Sequence, residues 1–187
     1  MSKKSGHKIF LLTALVAAVV ALCAVFAWNF YQSAAYPVKY LDIVDVYSEK
    51  YGVDKALVMA VIKCESSFNK DAVSEIGASG LMQITDETFE WAQSRMGDAS
   101  VGYDRIFEPE TNIKHGTYIL KLLIDEFEDE KTALSAYHAG FGNVKNWLED
   151  KNHSLDGKNI DTTPGRKTNA YIARVLKVRK VYEKKLT

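Results

Sequence analysis

An uncharged run from Ile9 to Tyr36, almost wholly apolar as far as Phe30, constrains this chain of 187 residues more than any other feature. About 20 apolar residues are enough to span a bilayer as a helix. Three lysines and no acidic residue precede the run, which favours a cytoplasmic location for that end. We therefore predict a cytoplasmic N-terminus over residues 1–8, a transmembrane signal anchor over 9–31 and a short linker over 32–39.

A cleaved signal peptide is the alternative interpretation of this run, since Ser33-Ala34-Ala35 offers small residues for a cleavage site. The apolar part of a signal peptide usually has about 7–15 residues, fewer than this run contains. We therefore prefer a retained anchor. Both interpretations export the remainder of the chain. We expect a single-pass protein of the cytoplasmic membrane with its main domain on the outer (periplasmic or extracellular) side.

The charge of the chain excludes one class of function. The 24 basic and 24 acidic residues balance, but three of the basic residues precede position 39, which leaves 21 against 24 in the remainder. A slightly acidic main segment lacks the basic surface of nucleic-acid-binding proteins. Cys23 lies in the apolar run and Cys64 in the exported part, so we expect no disulfide between them. The cysteines and the four histidines show no metal-ligand spacing, and we predict neither a metal site nor a cofactor.

Helical periodicity runs through nearly all of the remainder, which predicts a single, mainly α domain over residues 40–187. Asp54 is a good N-cap, and Pro109 suits a first helical turn. Residues 69–80 are rich in Asn, Asp, Ser and Gly and indicate an irregular loop. The predicted helices cover about residues 39–50, 54–67, a stretch after Thr85, a long central stretch from Pro109, 130–139, 142–150 and 168–185.

Glu65 stands out because the second predicted helix places it on the apolar side. On a helical wheel it falls beside Val61, between Leu57 and Val58. Burial raises the pKa of a carboxyl group, and the partial negative charge of a helix C-terminus acts in the same direction. A carboxylic acid that stays protonated near neutral pH can serve as a general acid. Helix geometry alone favours the alternative, a buried glutamate with a structural partner or one at a solvated rim.

Four short motifs support the catalytic interpretation of Glu65. They are ESSF at 65–68, GLMQ at 80–83, AYHAG at 136–140 followed by FGNV at 141–144, and the weaker YI at 171–172. In this order and spacing the chain resembles the lytic transglycosylases related to goose-type lysozyme, over about residues 40–185. The resemblance implies a lysozyme-like fold, so the expected architecture is a mainly α, lysozyme-like single domain preceded by one N-terminal transmembrane helix.

The resemblance also implies a substrate and a mechanism. The expected partner is the peptidoglycan glycan strand, in which GlcNAc and MurNAc alternate. By analogy Glu65 first protonates the glycosidic oxygen that leaves MurNAc, then accepts a proton from the 6-hydroxyl of the same sugar, which closes a 1,6-anhydro ring. This chemistry needs one carboxylate where most glycosidases use two. We expect solvated surface positions for the other nearby carboxylates, namely Asp71, Glu75, Asp86 and Glu87.

The remaining motif residues are expected to bind substrate. Ser66 is expected to hydrogen-bond near the cleft, and Gly80 to let the backbone approach a sugar, although each also suits an ordinary local role. In the family, Met82 and Gln83 line the cleft; for Met82, core packing is almost as good an explanation. Two tyrosines resemble those that flank the catalytic glutamate, where a phenol can orient the carboxyl group. They are Tyr137 and Tyr171, and Tyr171 also belongs to an apolar stripe of its helix.

Two positions depart from the family pattern. His138 stands where the family usually has asparagine, and a neutral imidazole supplies one donor and one acceptor in place of the amide. Lys167 stands where many members carry glutamate, a reversal of charge near the expected cleft. Two alternatives stay open. A hydrolytic muramidase that uses water would have the same fold and the same glutamate. A non-catalytic glycan-binding scaffold would have an eroded site; the two departures argue for it, and the intact Glu65 and Ser66 argue against it.

Overall fold

A computed structural model of the chain describes residues 3–98 and 100–187. It divides the chain into two compact units, one ending at Val38 and the other spanning Lys39–Thr187. The predicted cytoplasmic segment, residues 1–8, starts with two residues that lie outside the described part.

The first unit is one long helix, α1, at Lys3–Ala35. Its segment Phe10–Ala35 has a mean hydropathy of 2.8 and is long and apolar enough to cross a membrane. The large apolar side chains of this segment are exposed. The helix continues through the first half of the segment predicted as a linker, because Gln32 to Ala35 include nothing that disfavours a helix. It ends just before Tyr36, whose helical conformation is disfavoured by Pro37.

The described residues of the second unit form seven α-helices, as the periodicity predicts. The helices are α2 at Leu41–Tyr51, α3 at Lys55–Glu65, α4 at Asp86–Met96, α5 at Pro109–Phe127, α6 at Glu130–Ala139, α7 at Phe141–Glu149 and α8 at Arg166–Lys185. A short 3₁₀ turn at Tyr103–Arg105 was not predicted. Within the described residues, β structure is limited to the isolated bridges Val73–Ser79 and Ser79–Ile84. The mainly α fold class is therefore confirmed.

Side-chain caps fix several of the helix starts. The carboxylate of Asp54 accepts a hydrogen bond from the backbone N–H of Ala56 at 3.0 Å, and the hydroxyl of Thr85 accepts one from Thr88. The end of α3 differs from the prediction, which placed it at Ser67. The helix stops at Glu65 because Ser67 and the residue after it adopt left-handed φ values of 53° and 65°.

Two buried helices form the centre of the second unit. Every residue of α3 from Ala56 to Ile62 is buried, and this helix packs mainly against α8. Helix α5 is buried over most of its length and packs against α2 and α6, which confirms its predicted central place. In α8 the predicted stripe is buried, and it consists of Tyr171, Val175, Val178 and Tyr182. Packing of α8 on α3 thus supports the end of α3, where Glu65 lies.

Candidate active site

An open cleft of about 670 Å³ adjoins the C-terminal end of α3. Its walls come from the loop at 74–85, the start of α4, one side of α5 and the turn between α6 and α7. Charged, polar and aromatic side chains share this lining, among them Glu65, Gln83, Trp91, Tyr137, His138 and Phe141. A concave site with a few polar groups between apolar walls is typical of a small-molecule or oligosaccharide site.

Glu65 is the last residue of α3 and is largely shielded from solvent. Desolvation raises the pKa of its carboxyl group from 4.5 to about 6, although the Tyr171 hydroxyl and the Arg174 guanidinium act to lower it. The direction agrees with the sequence-based expectation for a carboxyl on the apolar side of a helix. A carboxyl group with this pKa exchanges its proton near neutral pH, as a general acid and base must.

Two tyrosines lie close to this carboxyl group. Tyr171 is buried on α8, and its hydroxyl makes no hydrogen bond of standard geometry within the described residues, yet it is near enough to Glu65 to lower the pKa of the carboxyl. The hydroxyl of Tyr137 donates a hydrogen bond of 2.8 Å to the carbonyl of Met82. Desolvation, followed by the charge of Glu65, holds the pKa of both phenols well above the ordinary value. Both phenols therefore stay protonated beside the carboxylate.

Ser66 connects the end of α3 to the wall of the cleft. Its hydroxyl lies 2.8 Å from the carbonyl oxygen of Leu81 and 3.3 Å from that of Ile62, so it has two backbone acceptors. The bond to Leu81 joins residues 15 positions apart. The structure thus gives Ser66 a positioning role beside Glu65, and Ser66 does not line the cleft.

Glycine is required at position 80 because of a neighbouring protein side chain, whereas the sequence suggested a nearby sugar as the reason. Its φ of 78° is left-handed, and a Cβ atom there would lie 2.1 Å from the side-chain nitrogen of Asn112 and 3.0 Å from the carbonyl oxygen of Ile106. The position faces the core, and Gly80 does not line the cleft. Gly80 therefore makes room for buried Asn112, and the approach of its backbone to a sugar stays a prediction.

Met82 and Gln83 are neighbours in the motif but face different surroundings. The Met82 side chain is fully buried and packs against Gly116, where an added Cβ would lie 2.3 Å from the sulfur. Met82 is not among the residues that line the cleft, and its burial fits core packing, the alternative that the sequence left open; a contact of Met82 with substrate stays a prediction. Gln83 does line it, with a left-handed φ of 50° and its side-chain amide donating to the carbonyls of Ala72 and Gly80.

His138 lies on the cleft surface and stacks on Tyr171. The two ring centroids are 4.3 Å apart and the planes differ by 13°. Desolvation lowers the pKa of the imidazole, and the nearby charges of Arg174 and Lys167 lower it further. The imidazole is therefore neutral at neutral pH and keeps one donor and one acceptor, as expected for a substitute of an amide.

Some residues of the site were not predicted from the sequence. Arg174 donates a hydrogen bond of 3.1 Å to the carbonyl of Cys64, and its guanidinium lies 5.9 Å from the centroid of the Tyr171 ring. Its place on α8, three residues after Tyr171, was the available clue. Trp91 and Phe141 face the cleft with ring centroids 6.4 Å apart. Their contact joins α4 to α7 and was not predictable from local sequence.

The other carboxylates considered from the sequence are exposed, as expected. They are Asp71, Glu75, Asp86 and Glu87. Of these, Glu87 contributes to the cleft lining. Within the described residues, no group of three or more histidine, cysteine, aspartate or glutamate side chains is arranged to hold a metal ion.

Comparisons with known proteins place this site in a family. The family model described as the transglycosylase SLT domain matches residues 42–160. The membrane-bound lytic murein transglycosylase C of Edwardsiella ictaluri is 37% identical over 118 aligned residues, covering 57% of this chain and 32% of that protein. The soluble lytic transglycosylase Slt70 of Escherichia coli, a solved structure, has a TM-score of 0.74 at 26% identity and covers 90% of this chain and 28% of that one.

A second solved structure is similar. It is the lytic transglycosylase Slt of Pseudomonas aeruginosa, in an inactive mutant with glutamine in place of one glutamate. It has a TM-score of 0.70 at 26% identity and covers 81% of this chain. The chain spans 32% or less of the length of each of these three relatives. The predicted lysozyme-like fold is confirmed, and the chain belongs to the transglycosylase SLT domain family.

Proposed function

We propose that this protein is a peptidoglycan lytic transglycosylase, which cleaves the β-1,4 bond between MurNAc and GlcNAc and leaves a 1,6-anhydro-MurNAc end. The observation that carries the proposal is the carboxyl group of Glu65, shielded from solvent at the cleft with its pKa raised to about 6. Membership of the transglycosylase SLT domain family supports the reaction type. The inactive glutamate-to-glutamine mutant of the Pseudomonas aeruginosa enzyme supports a reaction that depends on a glutamate.

In the proposed first step, protonated Glu65 gives its proton to the glycosidic oxygen as the bond from that oxygen to C1 of MurNAc breaks. GlcNAc then leaves with a free 4-hydroxyl group. In the second step the Glu65 carboxylate removes the proton from the 6-hydroxyl of the same MurNAc, and O6 bonds to C1. Glu65 regains the proton that it lost, and no water is consumed. One carboxyl group therefore performs both steps.

The surroundings of Glu65 suit both protonation states. With a pKa of about 6, about a tenth of the carboxyl groups carry the proton at pH 7. After proton transfer, the neighbouring Tyr171 hydroxyl and the Arg174 guanidinium stabilise the carboxylate, since both act to lower its pKa. Tyr137 and Gln83 contribute a wall held by hydrogen bonds to backbone. We propose Gln83, Tyr137, His138 and Tyr171 as the residues that contact substrate or orient the carboxyl group.

Hydrolysis by the same glutamate is a second candidate, and the presence of Glu87 in the cleft lining favours it. A second carboxylate is what most glycosidases use to activate water or to stabilise the cation. Glu87 is exposed, however, while Glu65 is partly buried. Activation of water by this solvated carboxylate on α4 is therefore less favoured than removal of the 6-hydroxyl proton by Glu65. A non-catalytic scaffold would have no need of a shielded carboxyl group with a raised pKa.

We also propose that α1 anchors the protein in the membrane, with residues 1–8 in the cytoplasm and the domain over residues 40–187 outside. The length and mean hydropathy of α1 support this topology. A relative named as membrane-bound supports it too.

Mass spectrometry of digestion products tests the proposed reaction. Purified peptidoglycan is incubated with the full-length protein in detergent, and the released muropeptides are analysed without reduction. We expect ends that are lighter by one water than the hydrolysed equivalents. Products with reducing ends alone would assign the protein to the hydrolases, and an absence of products would favour the scaffold.

A further inference from the structure

Helix α8 places two cations near His138, which lines the cleft. Lys167, Tyr171 and Arg174 are spaced so that they lie along one side of the helix. Tyr171 points inward to Glu65, and both basic residues are exposed on either side of it. The two cations therefore lie one turn before and one turn after the tyrosine that contacts the catalytic carboxyl group.

His138 links these two cations. Its ring stacks on Tyr171 at 4.3 Å, and the charges of both Arg174 and Lys167 reach it. We call the set of Lys167, His138 and Arg174 the basic rim. Because the imidazole lies on the cleft surface, a group bound by the rim is close to the sugar that Glu65 protonates.

The carboxyl group of the protein that acts on the basic rim is Glu65, whose pKa Arg174 acts to lower. Among the described residues, neither Lys167 nor Arg174 forms a salt bridge with a carboxylate. Arg179, further along the same helix, shows the contrast, since it forms salt bridges with Asp54, Glu130 and Glu183. When Glu65 is protonated for the first step, the rim has no acidic counterpart at hand. An anionic group of the substrate would supply it.

We infer that the basic rim binds a carboxylate on the branch that MurNAc carries at O3, so that Lys167 and Arg174 select charged glycan strands. This inference rests on the proposed function. The sugar rings of the strand are neutral. Where MurNAc carries a peptide, the lactyl carboxyl group is bound as a neutral amide and the negative charge lies on the peptide carboxylates; where the peptide has been removed, the charge lies on the lactyl carboxylate itself. Arg174 keeps guanidinium N–H groups beyond the one bonded to Cys64, and Lys167 adds a mobile charge.

The test compares three forms of the same soluble glycan strands. The first carries its native peptides, and the second has every carboxylate converted to a methylamide by carbodiimide coupling. The third has been stripped by an amidase, which leaves only the lactyl carboxylate. We measure kcat/KM on each of the three strand preparations with the full-length protein in detergent. Four proteins are compared, namely wild type, Lys167→Glu, Lys167→Gln and Lys180→Glu. Lys180 is the matched control, because it is an exposed lysine about 20 Å further along α8.

For wild type and Lys180→Glu, we expect kcat/KM to be about three- to tenfold higher on native than on methylamidated strands, as exposed ion pairs predict. The preference should shrink as salt is added. In Lys167→Gln the ratio should fall, and in Lys167→Glu it should reach one or less. If the Lys167→Glu effect persists on stripped strands, the basic rim also binds the lactyl carboxylate that the amidase exposes; if it disappears there, the rim binds only carboxylates of the peptide.

Two results would overturn the inference while the proposed function stands: equal wild-type rates on native and methylamidated strands, or the same ratio in Lys167→Glu as in wild type. A wild-type protein that cleaves none of the three substrates would instead defeat the proposed function, and the inference with it. These outcomes are distinguishable because only the last lacks product altogether.

Discussion

The side-chain oxygen of Asn112 accepts a hydrogen bond of 2.8 Å from the backbone N–H of Met82. The side-chain nitrogen of the same residue donates to the carbonyls of Ser79 and Ile106 at 3.0 Å and 2.9 Å. One fully buried amide thus satisfies three backbone groups around the loop that precedes Gln83. Asn112 belongs to the central helix α5 and does not line the cleft, yet its hydrogen bonds hold the loop that forms part of the cleft wall.

This relationship predicts an unequal cost for two glycine substitutions. Gly80 and Gly97 both have left-handed φ values, 78° and 65°, but only at Gly80 would a Cβ collide, and it would meet Asn112. Gly97→Ala should lower the free energy of unfolding by about 1–2 kcal/mol through backbone strain alone. Gly80→Ala should lower it by about 2–5 kcal/mol, since overpacking adds to the strain. Urea unfolding of both variants measures the difference, and equal losses would contradict the role given to Asn112.

Glu65→Gln should remove activity while keeping the fold. The amide has nearly the shape of the carboxyl group but cannot transfer the proton, and loss of general acid–base catalysis costs about 10²–10⁴-fold in rate. Because one residue performs both steps, we expect a loss at least that large in muropeptide release. Glu87→Gln is the matched control in the same cleft and should keep most of the activity. Substantial turnover by a folded Glu65→Gln protein would disprove the assignment.

The same variant should change how stability depends on pH. The pKa of Glu65 is raised from 4.5 to about 6 by folding, so the folded state holds the proton more tightly than the unfolded state. The resulting contribution to stability is fully present below pH 4.5 and is lost as the pH rises through about 6. Relative to wild type, Glu65→Gln should gain about 1–2 kcal/mol between pH 4 and pH 7.5. Thermal unfolding at the two pH values measures this gain; a constant difference would mean that the carboxyl group is solvated.

The activity profile should report the same group. In the free enzyme Glu65 acts first as an acid, so kcat/KM should fall above pH 6, roughly tenfold per pH unit. Removing the Tyr171 hydroxyl takes away a group that lowers the pKa of Glu65, so Tyr171→Phe should move this decline to higher pH. Tyr118→Phe, which changes a phenol outside the cleft, should leave the profile unchanged. If kcat/KM of Tyr171→Phe declines at the same pH as that of wild type, Tyr171 does not influence the titration of Glu65.

The proposed topology predicts which part of the chain a protease can reach. In intact spheroplasts, protease added outside should digest the chain from about residue 38 onward, while a cytoplasmic marker protein survives. The undigested protein should sediment with membranes, because α1 is apolar over a length sufficient to span the bilayer. A soluble mature chain that starts near Tyr36 would show that the segment is a cleaved signal peptide.

Features set by neighbouring residues were predictable from the sequence. The starts of α3 and α4 follow from the caps Asp54 and Thr85, and the place of Glu65 on the apolar side of α3 follows from helical periodicity. The orientation of loop side chains was not predictable in this way. The direction of the Met82 side chain, toward the cleft or toward Gly116, depends on the turn that contains Gln83. Gln83 has a left-handed φ, and glutamine is not a residue type from which that conformation is predicted.

Arg174 was missed for a related reason. A basic residue on an exposed helix face is usually solvated, and only the packing of α8 against α3 brings this one to the carbonyl of Cys64. That contact joins residues 110 positions apart. The local sequence around Arg174 gives no indication of this contact. The motif around Glu65, in contrast, indicates the proposed catalytic residue directly.

The packing of α8 on α3 also determines when the proposed active site is complete. Glu65 closes α3, the second helix of its unit, whereas Tyr171 and Arg174 belong to α8, which comes five helices later. Until α8 docks, the C-terminal end of α3 lacks the surface that desolvates it, and an exposed glutamate has an ordinary affinity for its proton. A chain in which α8 has not yet packed on α3 therefore carries Glu65 without the environment that raises the pKa of its carboxyl group. Under the proposed function, glycan cleavage would wait for that docking.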